Sequence, residues 1–193
     1  MPVVTQSETL TPNQAARRGR VIAAALELAT EGGYDAVQMR DVAARAQVAL
    51  GTIYRYFSSK DHLLAACQVE LWTNQSDRLA VRPPEGLTAA DRVVSLISRA
   101  MRSAERTPLA TAALVTASSS PDPAVRDCQG EIMAIMDQVL TDAMTDLDPE
   151  RCQLIAVTLR QVWFAWLLGW VNGWNDAPTV NQQLERTVRL LLG

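Results

Sequence analysis

The sequence predicts an all-α fold of about nine helices, on the strength of three observations. Capping residues recur along the chain, with Ser, Thr or Asp standing just before an apolar run of helical spacing. The prolines fall at helix starts or in loops rather than inside periodic segments, as helices require. No segment of convincing length alternates apolar and polar residues in the way a half-buried strand does.

The first helix is predicted to begin at residues 11–14, Thr-Pro-Asn-Gln. The threonine can cap the helix, the proline suits its first turn, and the glutamine can complete a capping box. The helix is predicted to end near Glu31, because Gly32 and Gly33 adopt left-handed backbone conformations at little cost. Residues 1–10 show little pattern and are predicted to form a disordered N-terminal arm.

Residues 38–60, QMRDVAARAQVALGTIYRYFSSK, are predicted to form two short helices separated by a brief break. The first is expected over Gln38–Arg45, the break over residues 46–48, and the second over Ala49–Tyr56. A helix, a short turn and a second helix place the second helix in a DNA major groove. This second helix carries small residues that permit close approach, and hydroxyl and guanidinium groups that bind phosphates and base edges.

This stretch resembles the recognition segment of the TetR family of transcriptional regulators. The resemblance rests on residues 46–63, AQVALGTIYRYFSSKDHL, and continues upstream through residues 33–36 and 40–43. It implies an N-terminal three-helix DNA-binding domain with a helix-turn-helix, followed by a C-terminal helical domain for ligand binding and dimerisation. Many members have Ser or Thr where this chain has Gln38, so the cap of that helix departs from the family pattern.

The resemblance also implies which side chains touch DNA. Thr52, Tyr54, Tyr56 and Lys60 are the predicted phosphate contacts, and the small Gly51 permits close approach of the backbone. The residues predicted to lie near base edges are Gln38, Arg40, Ala49, Leu50 and Arg55. Near the start of the first helix, at least one basic residue is predicted to contact phosphate, from the set Arg17, Arg18 and Arg20. The expected partner is a double-stranded, palindromic operator.

The fourth helix is predicted to run from about Ser59 to Arg78, with Ser58 and Asp61 as its capping pair. Residues 82–86, Arg-Pro-Pro-Glu-Gly, then interrupt the helical pattern. Five further helices are predicted to start at Thr88, Thr107, Asp122, Asp148 and Thr179 and to end near Arg106, Ala117, Met144, Trp174 and Leu192. The predicted domains are an N-terminal arm at residues 1–10, a DNA-binding domain at 11–58, and a ligand-binding and dimerisation domain at 59–193.

The region beyond Gly86 is predicted to bind a ligand and to dimerise. Methionines run along its seventh helix and tryptophans along its eighth, and a helix that is apolar nearly all round must be buried on more than one side. The second side can be core, a partner subunit or a cavity, and methionine fits an adaptable pocket. Leu184, Val188 and Leu191 form a stripe on the last helix, and that helix and the eighth are predicted to pair with their copies in a two-fold homodimer. The residues predicted to line the cavity are Met101, Leu114, Met133, Met136, Leu140, Trp163, Trp166 and Trp170.

Within the TetR family the chain most resembles the KstR branch, repressors of cholesterol catabolism. The similar segments are residues 32–40, 51–64, 161–170 and 187–193, whereas residues 87–151 match less closely. The resemblance implies a repressor released by a small hydrophobic effector, such as a steroid or other acyl-CoA thioester from lipid catabolism. Two alternatives stay open: a regulator of this type that senses a drug or a fatty acyl-CoA, and a helical ligand-binding protein whose DNA segment is vestigial.

Composition and residue types argue against several other functions. The net charge is −3, and a DNA-binding protein needs only a local basic footprint. His62 is the only histidine and the three cysteines lack metal-ligand spacing, so no catalytic group, metal site or cofactor is predicted and the protein is expected not to be an enzyme. The N-terminus lacks a secretory pattern, and the most apolar run, residues 162–171, is too short to span a bilayer. A cytoplasmic protein without membrane contact is expected.

Overall fold

The computed structural model describes residues 11–193, which form nine α-helices and, within that range, no strand. This confirms the predicted all-α class. The helices are α1 (Pro12–Ala36), α2 (Met39–Ala46), α3 (Leu50–Tyr56), α4 (Lys60–Val81), α5 (Ala89–Arg106), α6 (Pro108–Ser118), α7 (Pro123–Asp142), α8 (Pro149–Val171) and α9 (Ala177–Leu192). The arm predicted for residues 1–10 lies outside the described residues.

The start of α1 has the predicted capping box. Thr11 accepts a hydrogen bond from the backbone N–H of Gln14, and the Gln14 side chain accepts one from the backbone N–H of Thr11. The regular helix stops near Glu31 as predicted, because Gly32 and Gly33 have non-helical backbone angles, and after this kink a further helical turn extends α1 to Ala36. Gly33 lies at the kink with a φ of 71°, which interrupts the helix without preventing a further helical turn.

Two other predicted caps are shifted along the chain. The side chain of Ser59, rather than Ser58, caps α4 by accepting a hydrogen bond of 3.0 Å from the backbone N–H of His62. The side chain of Asp176, rather than Thr179, caps α9 by accepting one of 2.8 Å from the backbone N–H of Thr179. At α9 the proline in the first turn explains the earlier start, because proline suits that position and aspartate can cap from just before it.

Two hydrophobic clusters form the interior. The first joins α1, α2, α3 and the beginning of α4 with parts of α6 and α7, and the second joins the end of α4 with α5, α7, α8 and α9. Because residues of α6 and α7 belong to the first cluster, the division at residues 58/59 crosses a shared core and stays a prediction. α4 contributes to both clusters and is a continuous connection between them.

The stripe on α9 packs inside the chain. Leu184 and Val188 are fully buried in the second cluster, so the prediction that this stripe faces a partner subunit is wrong. The opposite side of α9 exposes Leu190, and the neighbouring helix α8 exposes Leu154. These two leucines are the most exposed large apolar residues of the two helices, and unlike the buried stripe they are accessible to a partner.

Candidate nucleic-acid interface and ligand cavity

The helix α3 is anchored in the core by one fully buried residue, and Leu50 and Tyr56 pack partly buried against the same cluster. Ile53 is the only buried residue of this helix, and its full burial contributes roughly 1.5–3 kcal/mol to holding the helix in place. The predicted boundaries hold to within one residue, and Gln47, with a left-handed φ of 54°, makes the turn from α2. A positive φ is uncommon for a residue other than glycine, and here it produces a sharp turn between the two helices.

The outward side of α3 carries several of the predicted DNA-binding residues. Tyr54 is 53% exposed, and Ala49, Gly51 and Arg55 are exposed as well. A Cβ placed on Gly51 would meet no atom within 4 Å, so this side of the helix is not packed against the rest of the chain. Leu50 and Thr52 are partly buried at its edges.

Two of these polar side chains are already in contact with each other. The guanidinium of Arg55 lies 5.1 Å from the centre of the Tyr56 ring, and its Nη2 donates a hydrogen bond of 3.2 Å to the Tyr56 hydroxyl. Among residues 11–193, by contrast, the Tyr54 hydroxyl and the Arg40 guanidinium have no hydrogen-bond partner, and both residues are exposed. These donors are therefore available to phosphates or base edges.

Gln38 does not cap α2. Its Nε2 donates a hydrogen bond of 2.8 Å to the Asp35 carbonyl. The side chain therefore stabilises the turn before α2 and makes no bond to the N–H groups at the start of that helix. This is the structural consequence of glutamine at a position where a shorter hydroxyl side chain would reach the helix N–H groups. Gln38 itself is exposed beside Arg40.

The basic residues of α1 have different surroundings. The side chain of Arg18 lies 3.8 Å from Glu70 and 5.7 Å from the centre of the Phe57 ring, so it contacts the core. Arg20 donates from Nε to the Ala46 carbonyl at 3.4 Å. Arg17 is exposed, and its guanidinium has no partner within the described part of the chain. Arg17 is thus the cation of this group with most freedom to reach a phosphate.

Lys60 lies at the first position of α4 and is held against the end of α1. Its Nζ donates a hydrogen bond of 3.0 Å to the Tyr34 carbonyl and lies 3.6 Å from the centre of the Tyr34 ring. The Tyr34 hydroxyl donates a 2.5 Å hydrogen bond to Asp61, and this bond, with burial, raises the pKa of Tyr34 to about 12. The tyrosine therefore fixes the start of α4 beside α3.

The turn after α3 makes a contact that the sequence did not predict. The hydroxyls of Ser58 and Ser59 both donate to Oδ2 of Asp122, the N-cap of α7, at 3.3 and 2.8 Å. These bonds hold the pKa of Asp122 below its usual value, the bond from Ser59 having the largest effect. Nearby, the Nδ1 atom of His62 accepts a hydrogen bond of 3.1 Å from the Ser58 N–H, and burial lowers the pKa of His62.

A cavity of about 600 Å³ lies between α1, α4, α5, α6, α7 and α8. Leu114, Met133, Met136 and Trp163 lie on its wall, as predicted from the sequence. The other four predicted residues do not: Met101 is fully buried in the second cluster, Leu140 borders a separate void of about 20 Å³, and Trp166 and Trp170 pack on the second cluster. Helical spacing correctly predicted which residues lie on apolar helix faces. It could not distinguish the residues that line the cavity from those buried in the core.

Polar groups on the cavity wall were not predicted. Gln68, Ser118 and Gln129 come from three different helices and form one hydrogen-bonded group. Two arginines also line the cavity: the half-buried Arg160, whose Nε donates to Asp137 at 2.8 Å, and the exposed Arg78, which has no ionic partner among residues 11–193. Of the described residues that line the cavity, none is an aspartate or glutamate.

Residues 21–67 match the N-terminal family of bacterial regulatory proteins named tetR, and residues 86–191 match the tetracyclin repressor-like C-terminal domain. The chain belongs to the TetR family. The matched N-terminal segment contains α2, α3 and the start of α4, where the exposed donors lie. The matched C-terminal segment contains most of the helices that enclose the cavity.

Known TetR-family proteins are similar to this chain in sequence and structure over nearly its whole length. The chain is 39% identical over 181 residues to the transcriptional repressor KstR of Rhodococcus jostii, covering 93% of this chain and 84% of the relative. A crystal structure of a TetR transcriptional regulator from Rhodococcus sp. RHA1 superposes with a TM-score of 0.83 at 32% identity, covering 93% of this chain and 97% of the other. The structure of Thermus thermophilus FadR in complex with lauroyl-CoA superposes with a TM-score of 0.73, covering 90% of this chain and 92% of the other, and at 18% identity it shows the shared fold.

The family relation bears on two further predictions. Its members are DNA-binding regulators rather than enzymes, which confirms the prediction that this protein is not an enzyme. The apolar run at residues 162–171 belongs to the longer helix α8, which alone among residues 11–193 is long and apolar enough to cross a membrane, so the argument from a short run does not hold. Core helices of soluble proteins also show this property. In a TetR-family fold α8 packs on α7 and α9 through residues such as Leu159, which is 1% exposed.

Proposed function

We propose that this TetR-family protein is a cytoplasmic, homodimeric repressor that leaves a palindromic operator when a hydrophobic acyl-CoA thioester fills its cavity. The observation that carries the proposal is the path of α4. This helix starts at Lys60 beside the exposed α3 and, further along, lines the cavity with Leu71, Trp72 and Arg78. One rigid element therefore touches both the DNA-binding part and the proposed effector site.

The operator contacts are assigned to the exposed side of α3 and to the cations around it. Tyr54 and Arg55 supply a hydroxyl and a guanidinium, and Gly51 permits the backbone to approach the phosphates. Arg17 and Lys60 add phosphate contacts at either side. Two copies of α3 in a dimer would enter successive major grooves about 34–36 Å apart, which is why a palindromic operator is expected.

The homodimer is assigned to the outward faces of α8 and α9. Leu154 is 69% exposed on α8 and Leu190 is 84% exposed on α9, and large apolar residues exposed on adjacent helices are typical of subunit interfaces. A two-fold interface buries the same patch on both subunits. The helix α8 is apolar nearly all round, but in the single chain only one of its sides is buried in the core. A dimer interface would cover the other side.

The effector class follows from the size and lining of the cavity. A volume of about 600 Å³ suits a ligand of drug-like or acyl-chain size. Leu114, Ile132 and Met136 supply apolar surface, whereas Arg78 supplies a cation for an anionic headgroup. Two structures with the same fold contain such ligands, which supports a lipid-derived thioester: Thermus thermophilus FadR with lauroyl-CoA and Bacillus subtilis FadR with stearoyl-CoA.

Of the two alternatives, the cavity chemistry argues against a cationic drug. Such a ligand needs an acidic partner when it is buried, and the described lining residues include arginines but no carboxylate. The second alternative, a ligand-binding protein with a vestigial DNA segment, is disfavoured by the polar residues that α3 exposes.

Release of the operator requires only a modest change. A shift of α4 on filling of the cavity would alter the separation of the two copies of α3 and lose contacts at one half-site. Coupling of about 1–3 kcal/mol, which is typical of allosteric proteins, corresponds to a 5- to 150-fold change in operator affinity. The contacts of Lys60 with Tyr34 transmit the movement of α4 to the end of α1 as well.

The test combines operator selection with effector titration. Genomic fragments bound by the purified protein are recovered, and the complex is titrated with a steroid acyl-CoA, a straight-chain acyl-CoA and free CoA. Release by either thioester but not by free CoA supports the proposal, and the better of the two identifies the effector class. Binding without sequence preference would favour the vestigial alternative, and release by neither thioester would contradict the proposed effector.

A further inference from the structure

Three uncharged polar side chains meet on the otherwise mostly apolar wall of the cavity. Gln68 comes from α4, Ser118 from the end of α6 and Gln129 from α7. The single proton of the Ser118 hydroxyl is shared between Oε1 of Gln68 at 3.0 Å and the Leu114 carbonyl at 2.9 Å. Nε2 of Gln129 donates to the same Gln68 oxygen at 3.4 Å and to the Ser118 hydroxyl at 3.2 Å. We call these three residues the amide cluster.

The amide cluster has unused hydrogen-bonding capacity. An amide side chain has two N–H donors and an acceptor oxygen, yet within residues 11–193 the Nε2 of Gln68 and the Oε1 of Gln129 have no partner. All three residues are half-buried and line the cavity. Their remaining donor and acceptor are therefore available to a molecule inside it.

We infer that the amide cluster is a specificity subsite that binds an uncharged oxygen, a hydroxyl or a ketone, on the hydrophobic body of the effector. This inference rests on the proposed function and adds a requirement that the apolar wall alone would not impose. A ketone accepts from Gln68, and a hydroxyl can also donate to Gln129. A charged group does not fit, because none of the three side chains carries a compensating charge.

The position of the cluster orients the effector. Gln68 and Arg78 lie on the same helix α4, about 15 Å apart along its axis at 1.5 Å per residue. Between them, Leu71 and Trp72 contribute apolar surface. The anionic headgroup belongs at the Arg78 end and the neutral oxygen at the Gln68 end, so a plain acyl chain would leave the cluster without a partner.

The discrimination expected from one such hydrogen bond is about tenfold. A net contribution near 1.4 kcal/mol for a hydrogen bond in a partly buried site corresponds to a factor of ten in the dissociation constant. An effector that lacks the oxygen leaves an amide of the cluster without a hydrogen-bond partner, and its binding is weaker for that reason. Effectors with and without that oxygen should therefore bind this cavity with clearly different affinity.

The experiment measures dissociation constants from tryptophan fluorescence, since Trp72 and Trp163 lie on the cavity wall. Two matched pairs of probes are used: ω-hydroxydodecanoyl-CoA with dodecanoyl-CoA, and a steroid acyl-CoA with and without one ring hydroxyl. In at least one pair the oxygenated member should bind about tenfold more tightly. The double variant Gln68→Leu/Gln129→Leu should reduce that preference to less than about twofold, while binding of the unsubstituted member is retained.

The control is Gln75→Leu, the same substitution on the same helix at a cavity-lining residue outside the amide cluster. It should keep the full preference. Equal binding within both pairs by the unaltered protein, or a preference that survives the double variant, would overturn the subsite and leave the proposed function intact. If none of the four thioesters binds, the proposed effector class fails, and the subsite with it.

Discussion

The hydroxyl of Ser59 donates a hydrogen bond of 2.8 Å to Oδ2 of Asp122 and so joins the N-cap of α4 to the N-cap of α7. Ser58, in the turn that follows α3, donates to the same oxygen. Further along, α7 lines the cavity with Gln129 and Met133. The recognition helix is thus connected to the cavity by two routes, α4 itself and the contact of the two serines with α7.

The substitution Asp122→Asn tests the second route. The amide keeps one oxygen, which can still accept the hydrogen bond from the backbone N–H of Ala124 and cap α7. It no longer has the second acceptor oxygen to which the two serines donate. The serine contacts should weaken, and the effector should then reduce operator affinity by a smaller factor than the 5- to 150-fold typical of such coupling. The effector's own affinity should change little. Fluorescence anisotropy of a labelled operator, with and without effector, measures both.

The matched control for this variant is Asp127→Asn. Asp127 is an exposed carboxylate on the same helix, and among the described residues it makes no hydrogen bond through its side chain. Its replacement should leave the coupling at the value of the unaltered protein. An Asp122→Asn protein that releases operator as fully as the Asp127→Asn protein would show that α4 alone carries the signal.

Arg17 and Arg18 should behave differently, although they are adjacent in sequence. Arg17→Gln removes an exposed cation that has no partner in the described structure. The plot of the logarithm of the operator association constant against the logarithm of the salt concentration should therefore become less steep by about 1, and thermal stability should not change. Arg18→Gln removes a cation lying over the Phe57 ring and should cost about 0.5–1 kcal/mol of stability. Operator titrations at several salt concentrations, with melting curves, separate the two effects.

Arg102→Gln on α5 is the control for charge loss. Arg102 is exposed and lies far along the chain from the helix-turn-helix, so its replacement should change neither the salt slope nor the stability. If Arg18→Gln reduced the slope as much as Arg17→Gln while the protein melted normally, Arg18 would have to turn away from Phe57 to meet DNA.

The sequence predicted the helix-turn-helix well because local chemistry determines it. Ile53 anchors α3 in any arrangement of this kind, and the short break between α2 and α3 leaves few conformations for residue 47. The capping boxes at Thr11 and Thr88 were likewise predictable, since each depends on two residues three positions apart. The cap of α4 was predicted one residue too early, because the pairing of Ser58 with Asp61 fits the capping pattern whereas Ser59 makes the bond in the structure.

The cavity was less predictable because its wall depends on how distant helices pack. Met101 and Met136 look equivalent in sequence, yet one is fully buried in the core and the other borders the cavity. The contact of Ser59 with Asp122 and the amide cluster join residues more than forty positions apart, which periodicity does not reveal. Only the capping role of Asp122 was visible in the sequence.

The homodimer assignment predicts a specific effect of Leu154→Glu. The leucine is 69% exposed on α8, so a charge there is tolerated in the single chain. In a dimer the same charge would be buried without a partner, which costs several kcal/mol, and the dimer dissociation constant should rise by at least about tenfold. Sedimentation velocity over a range of concentrations measures the change.

Leu87→Glu provides the comparison, because Leu87 is 97% exposed and belongs to the connection between α4 and α5 rather than to α8 or α9. It should sediment as the unaltered protein does. Loss of operator binding by Leu154→Glu, together with normal melting of its monomer, would link DNA binding to dimerisation. A Leu154→Glu protein that remains dimeric would move the interface elsewhere.

His62 should make the stability of the protein depend on pH. Burial lowers the pKa of its imidazole, and Arg18 acts in the same direction, whereas Asp122 and Asp127 oppose the shift. The unfolded chain therefore takes up a proton more readily than the folded one. Stability conferred by the neutral ring is present above the ordinary pKa of about 6.5 and is lost as the pH falls below it.

The variant His62→Asn isolates this effect, since His62 is the only histidine of the chain. The asparagine oxygen can replace Nδ1 as the acceptor of the Ser58 N–H but does not titrate near neutral pH. Between about pH 7.5 and 5.5, the melting temperature of the unaltered protein should fall more steeply than that of the variant. Removing the opposing carboxylate with Asp122→Asn should lower the pKa of His62 further and extend the loss to more acidic pH. Parallel melting curves for the unaltered protein and His62→Asn would show that the imidazole titrates alike in the folded and unfolded chains.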